Sequence, residues 1–189
     1  MSTLKVDNLL LADNNKGTGR ILEVVSGVCD GRSITTISGT YSLENVTAVQ
    51  LLGTSYVDVT GSTITYTPPE GTKTVVYEFW AQTSAEDGAD GIGNARFYID
   101  DVEVVSARHA PSPYRAYFST FKWPIQCNAS TANSDVGSFT SWTTSKTLKI
   151  QGRSHSTSAD IRYHNMRYLD GSSVTSQLTI PTLTITAIG

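Results

Sequence analysis

Apolar and polar residues alternate with a period of two along most of this chain, most clearly from Tyr56 to Trp80, YVDVTGSTITYTPPEGTKTVVYEFW. Val57 and Val59, then Ile64 and Tyr66, keep that spacing before Pro-Pro-Glu-Gly; Val75, Tyr77 and Phe79 keep it afterwards. Such spacing sends alternate side chains to opposite faces of a strand, so one face is buried while the other stays wet. Pro69 presets a turn and Gly71 accepts a conformation other residues avoid, which predicts that the two runs close into a hairpin.

The same pattern predicts strands at Ile21–Val28, Ile34–Ile37, Val46–Leu51, Ser55–Val59, Thr63–Tyr66 and Thr74–Gln82. Ala95–Asp100 and Val102–Ser106 follow as a hairpin through Asp100-Asp101, then Ala116–Gln126, Lys146–Arg153, Asp160–Tyr168 and Gln177–Ile188. Asp30-Gly31, Ser38-Gly39 and Asp170-Gly171 carry turn chemistry between them. No apolar stripe with helical spacing interrupts the series. Residues 20–189 are therefore expected to form an all-β, antiparallel two-sheet sandwich of jelly-roll type. No repeat of fixed length supports a fibre shaft or a propeller.

Residues 1–19 read differently. Leu4, Val6, Leu9, Leu10 and Leu11 form a short apolar run, and Asp13 to Gly19 is a polar linker. The arrangement fits an extended N-terminal arm that docks against a neighbouring subunit or a host structure, the alternative being a frayed terminus or a first strand of the same sheet.

Composition agrees with the strand pattern. The 189 residues include 26 Thr and 22 Ser, and only 16% are charged. Threonine is β-branched and suits strands, and both hydroxyl residues serve turns. Charge is uneven: residues 1–94 hold 5 Lys+Arg against 11 Asp+Glu, whereas residues 95–189 hold 9 against 6. Without a basic run, a nucleic-acid role is not expected. Cys29 and Cys127, the only cysteines, read as buried or idle thiols rather than a disulfide framework. The longest apolar run near the start is Leu9–Leu11. Neither an export signal nor membrane insertion is expected, and the two isolated thiols suit folding in a reducing cytoplasm.

Candidate chemistry is sparse. His109, His155 and His164 do not stand at metal-ligand spacings with cysteines or carboxylates. Asp87, Asp90 and Asn94 in the glycine-rich loop 84–94 raise calcium, but their spacing is not that of an EF-hand loop. No G-x-S-x-G occurs, and the acidic approach to Gly88, Gly91 and Gly93 would repel phosphate. No cofactor and no enzymatic activity are expected. Aromatic and basic groups offer a binding surface instead. Trp80 and Trp123 lie in strand runs and read as core, while Trp142 in the polar loop 128–145 reads as an exposed anchor. Arg162, His164, Arg167 and Tyr168 alternate basic and aromatic groups along one segment, which fits a glycan surface and equally a plain exposed strand face.

With the strands laid out, LKVDNLLL, GRILEVVSG, ITYTPPEGTKTVVYEFW, FYIDDVEVVSARH and IPTLTITAIG together resemble virion structural proteins of marine tailed phages, either tail-fibre-like or particle-decorating. The resemblance implies a β-sandwich head, often a homotrimer, displayed on the virion exterior for host attachment. The alternatives are a capsid decoration or cement protein held to the head lattice by its arm, and a carbohydrate-binding module. It implies other virion proteins and host surface glycans as partners. Two departures stand out: no fibre shaft is present, and Asp100-Asp101 replaces the more permissive Asp-Gly turn.

Overall fold

A computed structural model describes residues 19–85, 91–111, 117–170 and 173–189. Strands β1 (Ile21–Val28), β2 (Ser33–Thr35), β3 (Thr40–Ser42), β4 (Gln50–Leu51), β5 (Val57–Asp58) and β6 (Ile64–Tyr66) precede the long β7 (Thr74–Ser84). Then come β8 (Gly93–Ile99), β9 (Val102–Glu103), β10 (Tyr117–Gln126), β11 (Lys146–Ser154), β12 (Arg162–Tyr163), β13 (Asn165–Asp170), β14 (Ser173–Leu178) and β15 (Thr182–Ile188). Two single 3₁₀ turns, Val105–Ala107 and Ser134–Val136, are the only helical segments among the described residues.

Two main sheets hold eleven of these strands, while β2 with β3 and β13 with β14 form two small two-stranded sheets. The first runs β1-β15-β7 with β10 on the far side of β7, and β12 and β4 extend it at one end. The second runs β5-β11-β8-β9, with β6 also on β11. Every ladder is antiparallel. The chain alternates between sheets as it goes: β1 in the first, β5 and β6 in the second, β7 in the first, β8 and β9 in the second, then β10, β11 and β15. That alternation gives the antiparallel sandwich its jelly-roll path.

It also corrects one expectation. β6 and β7 do not form a hairpin: β6 pairs with β11, through Leu148↔Ile64 and Lys146↔Tyr66, while β7 pairs with β10 and β15. Pro68-Pro69-Glu70-Gly71 is an arch from one sheet to the other. Its turn chemistry is real, since Gly71 has φ +85° and Thr72 donates Oγ1 to the Pro69 carbonyl at 2.7 Å. A tight bend fixes direction, but only the core decides which strands lie side by side.

The core lies between the inward phases. Tyr77, Phe97 and Phe121 meet across the sandwich at centroid distances of 4.9, 5.2 and 5.9 Å, a mutually tilted aromatic cluster joining β7, β8 and β10. Val25, Leu148, Ile150, Leu183 and Ile185 fill the space around them. Cys29 and Cys127 are buried free thiols, and burial pushes them up to about 12 and about 11. Asp100 and Asp101 have φ of +50° and +63° and join Ile99 to Val102, a two-residue turn of the mirror type that matches strand twist. The sequence departs from Asp-Gly there and the hairpin forms all the same.

Candidate functional site

The outward phase of the second sheet gathers the most chemistry. In β8, Asn94, Arg96 and Tyr98 alternate with buried Gly93, Ala95, Phe97 and Ile99; in β11, Lys149, Gln151 and Arg153 alternate with buried Leu148, Ile150 and Gly152. Antiparallel register sets Arg153 opposite Asn94, Gln151 opposite Arg96, and Lys149 opposite Tyr98. Period two and pairing thus build a ladder of polar side chains on one surface.

At one end of that ladder Tyr56 lies among cations. The Arg96 guanidinium carbon sits 4.1 Å from the Tyr56 ring centroid and that of Arg153 sits 5.1 Å away. A ring face carries partial negative charge and attracts both. Glu103 accepts from Arg108 Nε at 2.7 Å and Nη2 at 3.3 Å, and its Oε2 lies 3.4 Å from Arg96 Nη1. The Arg108 hydrogen bond, together with the charge of Arg96 and against the opposing effect of burial, holds the Glu103 carboxyl below its ordinary value. Arg153 donates to the Thr54 carbonyl at 3.5 Å and, among the described residues, has no carboxylate partner. Both Arg96 Nε and Arg153 Nε are buried without a hydrogen-bond partner. Tyr56, Asn94, Arg96, Arg108, His109 and Arg153 line a groove of about 310 Å³. Three guanidinium groups therefore face it against one carboxylate.

The other end of the same face is neutralised. Lys149 Nζ lies 2.8 Å from Asp101 and 3.3 Å from Asp58; Lys146 lies 2.8 Å from Asp100. Positive charge is thus confined to the groove.

The residues singled out from the sequence fall elsewhere, and two need correction. Trp142 is not an exposed anchor: it is 6% exposed, donates Nε1 to the Thr144 carbonyl at 2.9 Å, and meets the edge of Tyr66 at 6.2 Å. The loop holding it is built, with Asn133 Oδ1 accepting from Asp135 N and Gly137 at φ +69°, so it tucks the indole inward. His164 is not on the surface either. It is fully buried, with φ +63° and its Nε2 3.0 Å from Thr60 Oγ1. Burial, partly offset by the Thr60 hydrogen bond, pushes its pKa down to about 4.

Arg162 is half-buried and held by Asp160 at 2.9 Å. Arg167 donates to the Ala85 carbonyl at 3.2 Å. Tyr168 belongs to β13, but its side chain lies outside the described part. Arg162 pairs with Ser84 at one end of β7, whereas Trp142 shares a cleft with Thr72 beside the other end. An eleven-residue strand separates them by roughly 30 Å, so they form no common patch. Trp123 is half-buried against the core, and Trp80 is half-buried on the outward phase of β7. Leu4, Val6, Leu9, Leu10 and Leu11 lie outside the described residues, as do Asp87 and Asp90 of the acidic loop. Among the described residues no cluster of three or more His, Cys, Asp or Glu could hold a metal ion.

No family model matches the chain, and no curated protein matches it. One solved structure, the EclA C-terminal domain, described as a sugar-binding protein, aligns with 90% of this chain and 90% of its own length. Identity over that alignment is 7% and the TM-score is 0.31, a likeness too weak to carry a functional argument.

Proposed function

We propose that the chain is a non-enzymatic virion structural protein, a β-sandwich subunit displayed on the particle exterior that contacts the host surface. The observation that carries the contact role is the groove around Tyr56. A binding surface needs side chains held ready before the ligand arrives, and Arg96, Arg108 and Arg153 are held by Tyr56, Glu103 and the Thr54 carbonyl. The virion setting rests on the sequence resemblance. A homotrimer anchored through the apolar arm completes this reading, because weak contacts on each copy add up when several engage one surface.

A second reading, capsid decoration, is favoured by a different observation. The outward phase of the first sheet is nearly uncharged, with Thr182, Thr184, Thr186 and Val76 side by side, and suits packing against a flat protein lattice. Antibody labelling of intact particles in the electron microscope tests both. Label on tail appendages, with purified protein competing for host adsorption, supports attachment. Label spread over the head, with no competition, supports decoration.

A further inference from the structure

We infer that the groove bounded by Tyr56, Arg96, Arg108, His109 and Arg153 is a binding site for the anionic group of an acidic saccharide. The inference rests on the attachment reading and names its ligand class.

The charge balance comes first. Arg96 and Arg153 flank one tyrosine ring at 4.1 and 5.1 Å, which puts the two cations within about one Debye length of each other (~10 Å at 0.1 M salt). Glu103 is the only carboxylate on this cluster among the described residues, and Arg108 already takes it at 2.7 Å. Like charges held so close repel one another, and a bound anion would relieve that repulsion. Guanidinium is also the group whose planar fork matches a carboxylate or sulfate through two parallel hydrogen bonds.

The shape of the charge selects the ligand. Beyond the groove the same face presents Asp58, Asp100 and Asp101. An extended polyphosphate backbone laid along the sheet would run from the groove onto a stretch where Asp58, Asp100 and Asp101 already take the lysines, so duplex nucleic acid fits poorly. A sugar unit carrying one anionic group fits well. The volume, 310 Å³, suits a small ligand. Asn94 and exposed His109 stand at the rim as hydrogen-bonding partners for ring hydroxyls. The anion can be a uronate carboxylate or a sulfate ester, since both present oxygens that accept from this fork.

Calorimetric titration of the full chain with trigalacturonate, a sulfated galactose oligosaccharide and neutral maltotriose tests the assignment. Binding to one or both acidic oligosaccharides, and none to maltotriose, is expected; the acidic arm that responds identifies the anion. Arg153→Gln is expected to weaken binding about tenfold or more, as loss of a charge-assisted hydrogen bond does. Arg153→Lys keeps the charge without the fork and is expected to recover only part of that loss. An unchanged melting temperature in both variants excludes unfolding. Equal binding of maltotriose, tighter binding of duplex DNA, or no loss of acidic-sugar binding in Arg153→Gln and Arg96→Gln overturns the inference. Protein that adsorbs to host cells equally well with and without these substitutions sinks the groove alone and leaves the attachment reading standing. Protein that binds the acidic sugars but never the host cells sinks attachment alone.

Discussion

The two outward faces of the sandwich stand on one core and follow one alternation, yet they carry opposite chemistry. On the first sheet three rows run across β1, β15, β7 and β10: Val24, Thr186, Val76 and Pro124; Ser26, Thr184, Glu78 and Lys122; Val28, Thr182, Trp80 and Thr120. The one ion pair in these rows, Lys122 with Glu78 at 3.0 Å, cancels itself. On the second sheet the corresponding positions are Asn94, Arg96, Tyr98, Lys149, Gln151 and Arg153. The buried phase makes the fold and is alike in both sheets. The exposed phase is free to differ, and that freedom lets one sheet gather charge that the other lacks. Even the edge differs from a sticky strand: Pro124 and Lys122 sit on β10, where a missing donor and a charge discourage pairing with another chain.

The largest expected effect removes both faces together. Thr60 follows β5 of the second sheet and His164 follows β12 of the first, so their hydrogen bond spans the sandwich. His164 titrates at about 4 in the folded chain, below its ordinary 6.5. Between those values the unfolded chain binds a proton that the folded chain refuses, so stability rises with pH there and is lost on acidification. A shift of that size corresponds to about 3 kcal/mol. Urea midpoints are expected to fall steeply from pH 7 to pH 4.5. Glu23, Asp100 and Glu103, whose carboxyls are held low, add further losses only below their own ordinary range. His164→Asn tolerates the positive φ and is expected to flatten the profile between pH 4 and 6.5; a profile unchanged in that variant assigns the acid loss to the carboxylates.

Gly152 separates the faces. A methyl group there would meet Leu52 Cδ1 at 2.9 Å and Val59 Cγ2 at 3.2 Å, inside the core beneath β5 and β11. Gly152→Ala is expected to cost about 1–3 kcal/mol by overpacking. The strain reaches β5, next to Tyr56, through Val59, so acidic-sugar binding should weaken beyond what the lost stability explains. Denaturant midpoint and calorimetric affinity, measured together at pH 7.5, check this; full affinity in a destabilised protein would show that the groove does not depend on close β5–β11 packing.

How much of this contrast the sequence already carried follows from the physics of each signal. Strand phase was legible: Ile21–Val28 matches β1, and Thr74–Gln82 falls short of β7 by two residues. Arg96 and Arg153 sat in plain view on the polar phases of two recognised strands. What brings them to Tyr56 is pairing over long sequence separation, and alternation carries no record of partners. Trp142 misled because a polar loop was equated with an exposed one, whereas side-chain caps and a 3₁₀ turn fold this loop over its own indole. His164 misled for another reason: its positive φ breaks the period, so Tyr163, His164 and Asn165 are all buried in succession. The three-residue β3, Thr40–Ser42, was too short for any period to register.

A smaller effect probes the neutral face. Thr184→Lys places a charge in the middle row beside Glu78 and removes the hydroxyl that lies 2.7 Å from Ser26 Oγ. Stability is expected to change by no more than about 0.5 kcal/mol, as for most surface substitutions. Acidic-sugar binding should stay within twofold. Light scattering then sharpens the comparison: if copies associate through this face, the added charge lowers the assembled mass, and if the arm alone holds them, the mass does not change.

The smallest expected effect tunes the charged face itself. Asp101 is exposed at the tip of the β8–β9 turn, with φ +63° and its carboxylate 2.8 Å from Lys149 Nζ. Asn tolerates the same left-handed backbone, so Asp101→Asn removes a charge without disturbing the turn. Lys149 keeps Asp58 at 3.3 Å, and an exposed ion pair of this kind contributes under about 1 kcal/mol, so the fold should be indifferent. The field over the groove becomes more positive, because one of the carboxylates that confine the positive charge is gone. Acidic-sugar affinity is expected to rise about twofold at low salt, and the gain should vanish near 0.5 M salt, where the Debye length shrinks to a few ångströms. A loss of affinity instead would mean that Asp101 accepts hydrogen bonds from the ligand, and that the binding surface extends along the sheet from the arginines to the turn.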